Sequence, residues 1–267
     1  ESVRTAMYHG FESHSLRQNP KHMNKQDYFR QQYAKRNSNW EESTNIYHNQ
    51  IAKYVTSKTK LLDIGCGHSN LLKDIYKRTP HTYCIGPDKH AIKRNTLIKD
   101  VRQEYVEKMS FKDNFFDIVV CAWVLEHLPD PKKAFKEIYR VLKPGGRVIF
   151  ITPNSLNYNV WIIRLIPENL HEFFTRKIYG RQDHDTFSKK YKFNNPQKIE
   201  DSMKEWGYAK EELLINGDPS YISFEIACLL EKIQDLKPLR NTKVHIIGVF
   251  RKEVPKTKRK PQSPVED

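Results

Sequence analysis

The stretch Phe116–Trp123, FDIVVCAW, is a near-continuous apolar run lying between helix-patterned segments. A strand without polar alternation must be covered on both faces, as a central strand of a parallel sheet is. Comparable short runs recur before and after it: KLLDI at 60–64, TYCIG at 82–86 and RVIFIT at 147–152. Helical spacing fills the intervals, with Leu71, Leu72, Ile75 and Tyr76 on one side of the first and HAIKRNTLIKD as the second. Pro131 opens a third, whose inner face is Ala134, Phe135, Ile138, Val141 and Leu142, and KPGG ends it. AKEELLIN and KVHIIGVFRK supply a closing strand pair. This alternation predicts an α/β fold with a Rossmann-like doubly wound sheet of seven strands, mostly parallel with an antiparallel last strand. Ligand would sit at the carboxyl ends of the parallel strands.

The same reading divides the chain. Residues 1–38 form a polar N-terminal arm or lid with one short helix at QDYFRQQYAKR. The main domain runs over 39–252, with insertions at 153–193 and 217–242, and 253–267 is a disordered basic tail. Asn39, followed by Glu42, is the expected N-cap of the first domain helix, whose apolar face is Tyr47, Ile51, Tyr54 and Val55. Asn195 and Pro196 start a later helix with Ile199, Met203 and Trp206 inward and Gly207 as its stop. Inside 217–242, Ile222, Ile226, Leu229, Leu230 and Ile233 repeat at helical spacing. Two readings stand for that helix. It packs on the domain's own core, or, with Tyr221, Phe224 and the aromatics Phe173, Phe174 and Tyr179, it forms an apolar wall for an acceptor or touches a membrane surface.

The formal charge of +14 on 267 residues bears on partners. Six of the basic residues lie in the last 17 positions, where a solvated tail and a membrane or RNA contact are both open. Elsewhere the charge is diffuse and no RNA-binding module is visible, so nucleic acid is not expected as a partner. The cysteines Cys66, Cys84, Cys121 and Cys228 show no metal-ligand spacing. Read as free thiols, three of them in or beside buried strands, they imply a reducing, cytoplasmic setting, with peripheral membrane contact as a further alternative. No apolar run reaches the roughly 20 residues that span a bilayer. The first residues lack the apolar centre of a secretory signal, although a chain beginning at Glu1 leaves a trimmed start open.

The first strand ends in Asp63 and the turn Gly65-Cys66-Gly67. Two glycines allow backbone amides to approach a ligand, but a dinucleotide site needs a third at position 70, which is Asn70. Asp88 stands 21 residues after Gly67 at the end of the second strand, where a carboxylate can accept both hydroxyls of a ribose. A ribose without a pyrophosphate is the ligand this pattern describes.

Four segments in order, LLDIGCG, CIGPD, FDIVVCAWVLEHLPDP and LKPGGRVIFITPN, resemble the class I S-adenosylmethionine-dependent methyltransferases. The likeness is to the methyltransferase type 11 and ubiquinone/menaquinone methylating kind, with LHEFFTRKIYGRQDHDTF resembling members from bacterial cell-surface glycan clusters. The resemblance implies S-adenosyl-L-methionine as cofactor, with Asp63, Gly65, Cys66, Gly67 and Asp88 holding its amino-acid and ribose parts. Val106 and Glu107 would border the adenine, and Cys121, Ala122 and Trp123 the sulfonium end. Tyr105 and Val106 depart from the acidic residue and alanine that many relatives carry. Some quinone methyltransferases bind a divalent metal through Glu-x-x-Glu-His; Trp123 replaces the first carboxylate here, so no metal is expected and Glu126 with His127 reads as structural. His127, His171 and His184 are the candidate general bases for a hydroxyl acceptor. The implied activity is O-methylation of a small molecule, glycan or lipid-linked acceptor. RNA methylation and a non-catalytic cofactor-binding scaffold are the alternatives.

Overall fold

The computed structural model describes residues 25–66, 71–88, 96–165, 190–220 and 224–254. Two helices come first, α1 (Lys25–Arg36) and α2 (Ser43–Ala52). They are followed by β1 (Lys60–Ile64), α3 (Lys73–Arg78), β2 (His81–Gly86), β3 (Asp100–Gln103) and β4 (Phe116–Ala122). Then come α4 (Pro131–Val141), β5 (Leu142–Pro153), α5 (Tyr158–Leu165), α6 (Pro196–Glu205), β6 (Tyr208–Asn216), α7 (Phe224–Gln234) and β7 (His245–Lys252). The seven strands form one sheet in the order β3-β2-β1-β4-β5-β7-β6. Strands β1 to β5 pair in parallel, while β7 runs antiparallel to both β5 and β6. The doubly wound sheet with its antiparallel last strand is therefore as the sequence predicts.

The two faces explain why β4 reads as uninterrupted apolar sequence. Val119 and Cys121 join a cluster with Phe135, Ile138, Phe150, Ile199 and Met203 under α4 and α6. Ile118 and Val120 join the opposite cluster with Tyr47, Ile51, Ile75, Ile149 and Ile247 under α2 and α3. Each such side chain stabilises the fold by about 1.5–3 kcal/mol. Asp130 caps α4 by accepting from the Lys133 N–H at 3.0 Å, and Asn195 caps α6 the same way through Lys198 at 3.1 Å. Gly207, with φ of 87°, ends the chain's turn after α6 as expected.

Three expectations change. Helix α2 begins at Ser43, not after Asn39, because Trp40 is committed elsewhere: its N–H closes a turn on Asn37 O and its indole donates to Gly217 O at 3.0 Å. The segment expected to stay helical through Asp100 is bent at 96–99 and enters β3, an edge strand too short and polar (DVRQ) to register as one. Its residues 89–95 lie outside the described residues. The free-thiol reading fails for two cysteines, since Cys66 and Cys84 form a disulfide with Cα atoms 6.0 Å apart. Parallel pairing sets Cys84 beside Asp63, and the chain turning at Gly65 brings Cys66 back over it. Cys121 and Cys228 remain free.

Candidate cofactor site

The carboxyl ends of β1 and β4 lie side by side, with Ile64 paired to Cys121. This brings Asp63, Gly65, Cys66, Cys121, Ala122 and Trp123 to one edge of the sheet. Gly65 has φ of 78°, a left-handed conformation that favours glycine, and its N–H reaches across to Ile85 O at 2.8 Å. Gly67 lies outside the described residues.

Asp63 is 4% exposed, and burial pushes its carboxyl up to about 7, against the lowering effect of a hydrogen bond from the Tyr76 hydroxyl to Oδ2. A buried carboxylate held this way is short of positive charge. Tyr47 of α2, in the cluster on the α2 and α3 face, is wholly buried, and its hydroxyl has no hydrogen-bond partner among the described residues. Burial, then the charges of Asp63 and Cys121, raise the Tyr47 phenol well above its ordinary range, so it stays protonated. Burial does the same to the Cys121 thiol, which is 1% exposed and inert as a nucleophile.

Asp88 follows β2 by two residues, where Gln103 on β3 fixes the chain by donating to Pro87 O at 3.0 Å. Val106 is buried in a tight turn closed by a Tyr105–Lys108 bridge, and Glu107 buries an Oε1 without a partner among the described residues. That turn is clamped from α4, since Glu137 accepts from Met109 N at 2.9 Å. Tyr105, at the departure from the family pattern, is half exposed.

Trp123 has φ of 59°, strained for a bulky residue and held by its N–H on Ile151 O at 2.9 Å. Its indole meets His245 edge-on at 4.9 Å, and His245 Nδ1 lies 3.0 Å from Ser43 Oγ. Glu126 and His127 sit just beyond, both buried, with His127 Nε2 3.9 Å from Glu126 Oε1. Glu126 accepts from Thr152 Oγ1 at 3.1 Å, Asn194 donates to that same hydroxyl, and the Glu126 carbonyl accepts from Lys190 and Tyr191. Glu126 thus ties the chain at Lys190 and Tyr191 to the end of β5. No group of metal-ligating side chains occurs among the described residues. His171 and His184, with Phe173, Phe174 and Tyr179, lie outside those residues.

Sequence reasoning missed Tyr47, Tyr76, Thr152, Asn194 and His245. The two tyrosines were hidden in apolar stripes, where only the choice of Tyr over Leu or Phe signals a hydroxyl. The groups at this end of the sheet suit a ligand carrying a cation and a hydrogen-bond acceptor: a buried acid lacking a cation and a buried hydroxyl lacking an acceptor among the described residues.

Residues 62–150 match the family described as Methyltransferase domain. Ubiquinone biosynthesis O-methyltransferase of Alkalilimnicola ehrlichii is 32% identical over 130 residues, covering 43% of this chain and 53% of that protein. The Pseudomonas aeruginosa protein of the same name matches at 32% over 43% of this chain and 56% of its own. The chain thus spans about half the length of the curated relatives it matches. Among solved structures, a SAM-dependent methyltransferase from Methanosarcina mazei superposes with a TM-score of 0.51 at 19% identity, over 77% of this chain and 97% of that one. The 4+2 cyclase SpnF superposes at 0.53 and 15% identity, over 94% and 89%. Both likenesses are of fold.

Proposed function

We propose that the chain, whose residues 62–150 match the Methyltransferase domain family, transfers a methyl group from S-adenosylmethionine to an oxygen of a small-molecule, glycan or lipid-linked acceptor. Support comes from Asp63, a buried carboxyl at the end of β1 that takes a hydrogen bond from Tyr76, inside the segment that matches the family. The O-directed reading rests on the relatives, which are O-methyltransferases of ubiquinone biosynthesis.

When bound, the cofactor supplies a sulfonium methyl for displacement by a nucleophile. Most of the protein's contribution is alignment and exclusion of water. Asp63 and the Gly65 turn would hold the amino-acid part, Asp88 the ribose hydroxyls, and Val106 with Glu107 the base. Trp123 would wall the reacting end. A histidine among His127, His171 and His184 would take the acceptor's proton. An apolar contact with a membrane surface is part of the same proposal; no helix among the described residues is long and apolar enough to cross one.

The fold also serves a cyclase, so likeness of fold does not assign methyl transfer. The test is incubation with methyl-labelled S-adenosylmethionine and separate lipid, glycan, phenol and RNA fractions. Label in the lipid, glycan or phenol fraction, stable to mild base as an ether is, supports the proposal. Label in RNA supports the nucleic-acid alternative. Cofactor binding with no label anywhere supports the scaffold.

A further inference from the structure

Helix α7 turns its apolar stripe, Ile226, Leu229 and Ile233, to solvent and buries Ala227, Glu231 and Gln234. The turn that follows it, Lys237–Thr242, extends that surface, since Leu236 and Leu239 are exposed as well. The helix is held in this orientation. Glu231 Oε1 accepts from Asp218 N at 3.1 Å, Gln234 donates to Thr242 O at 2.7 Å, and the Phe224 ring lies 5.3 Å from that of Phe29 with the Arg36 guanidinium 4.9 Å over it. Rolling the stripe inward would break all of these contacts. Single exposed apolar residues are ordinary on a soluble protein, whereas a row of them along one helix marks an interaction surface.

The charges beside the row select its partner. Lys232, Lys237 and Arg240 are exposed, while the neighbouring acids are matched, Glu225 by Arg36 at 3.5 Å and Asp235 by Lys243 at 2.7 Å. A second copy seated on this surface would bring like cations together, which opposes association. An apolar row with a basic surround suits a sheet of anionic headgroups over acyl chains. Its place in the fold is equally specific. Strand β6 ends at Asn216 and β7 begins at His245; the two are paired, and His245 also pairs with Pro153 at the end of β5. The detour that carries α7 therefore leaves and re-enters the sheet at its ligand edge, on the β7-β6 flank.

We propose that the α7 stripe docks the chain on an anionic bilayer, with the ligand edge of the sheet beside the membrane, and that the methyl acceptor is a lipid or lipid-linked molecule taken from that surface. The acceptor half rests on the methyl-transfer reading above, whereas the docking half stands on α7 alone.

The test is sedimentation of the full chain with vesicles of phosphatidylglycerol and phosphatidylcholine and with vesicles of phosphatidylcholine only. Two double variants accompany it, Ile226→Ser with Leu229→Ser and Lys232→Glu with Lys237→Glu, all at exposed positions. The parent should bind the anionic vesicles and not the neutral ones, and each double variant should bind them about tenfold or more weakly. A Trp placed at position 229 should be quenched by brominated acyl chains, a signal that headgroup attraction to basic residues elsewhere in the chain would not give. No binding by the parent, undiminished binding by both variants, or an unquenched Trp overturns the docking. So does a parent that light scattering finds dimeric and the Ser variant monomeric, because the row is then a self-interface. Methyl transfer to soluble acceptors without vesicle binding overturns this proposal and leaves the methyl-transfer reading standing. Vesicle binding by a chain that does not bind S-adenosylhomocysteine overturns that reading and leaves the docking.

Discussion

The cofactor end of the sheet and the C-terminal cap contrast in what they bury. Under α2 and α3 the apolar residues are inside, and the buried Asp63 carboxyl takes its hydrogen bond from Tyr76. The cap, built from α1, the 217–220 loop and α7, is arranged the other way. Helix α7 leaves Ile226 54%, Leu229 58% and Ile233 39% exposed, while it buries Ala227, Glu231 and Gln234. Glu231 Oε1 accepts from Asp218 N at 3.1 Å, with Lys243 3.8 Å from the other oxygen, and Gln234 donates to Thr242 O at 2.7 Å. Arg30 of α1 completes the network with contacts to Asp218 Oδ2 at 2.8 and 3.1 Å. Gly217 has no room for a side chain, since a Cβ there would fall 1.7 Å from Glu231. Hydrophobic period shows which face of a helix is apolar. It does not show which face is inward when the neighbours offer a set of matching charges.

The largest effect should follow from breaking that set. Arg30→Met would leave Asp218, 3% exposed, without its guanidinium. Although burial alone would raise the Asp218 carboxyl, Arg30 and His245 hold it below its usual range. Loss of one partner of a buried pair costs about 3–5 kcal/mol, or roughly 10 °C in melting temperature for a chain of this size. Affinity for S-adenosylhomocysteine should stay within about twofold. If cofactor affinity falls together with stability, the cap and the cofactor end are one unit and the contrast is wrong.

Second in size is the Cys66–Cys84 link, which ties the turn after β1 to β2 across a sequence separation of 18. Reduction, or Cys84→Ser, should destabilise the chain by about 3 kcal/mol on the loop-entropy account. Thermal melting with and without dithiothreitol, with thiol counting by alkylation, checks it. An unchanged melting temperature with the bond shown to be present in the oxidised sample would refute the effect.

Much of the cofactor end was legible in the sequence because its constraints are local. A glycine turn after a strand, a carboxylate at the next strand's end and an apolar central strand each leave a mark within a few residues. The cap's constraints join residues 188 apart, as Arg30 and Asp218 are, and no short pattern records that. The disulfide was illegible for the same reason: Cys84 meets Cys66 only because β1 and β2 are neighbours. Tyr47 was read correctly as buried, but periodicity is silent about where a hydroxyl at the end of a buried ring points.

The third effect sets two acids side by side. Asp63 and Glu231 are both pushed up to about 7, chiefly by burial. For each, the folded chain keeps a proton that the unfolded chain has lost, so each one's contribution to stability is lost as pH rises from its unfolded value through about 7. Their roles differ, because only Asp63 awaits a ligand's cation. Affinity for S-adenosylhomocysteine should therefore rise toward pH 7 by up to about tenfold per unit and then level off. Asp63→Asn should flatten that profile and weaken binding. Glu231→Gln should leave it unchanged while removing part of the loss of stability between about pH 5 and 7. A flattened binding profile in the Glu231 variant would mean that the cap reaches the cofactor after all.

The smallest expected effect is the sharpest test of the inverted helix. If Ile226, Leu229 and Ile233 packed on the core, each replacement by Ser would cost about 2–5 kcal/mol, the usual loss on truncating a buried aliphatic side chain. Exposed as they are, each should change stability by no more than about 0.5 kcal/mol. The triple Ser variant should then melt within a few degrees of the parent and bind S-adenosylhomocysteine equally well. Around the stripe, Glu225 is paired with Arg36 and Asp235 with Lys243, whereas Lys232, Lys237 and Arg240 add exposed positive charge. A stripe of this kind gains from an anionic surface. Sedimentation with phosphatidylglycerol vesicles, compared with neutral vesicles, should fall in the triple variant if the stripe makes that contact. A strongly destabilised triple variant would return α7 to the core and show that the two ends of the molecule follow the same rule.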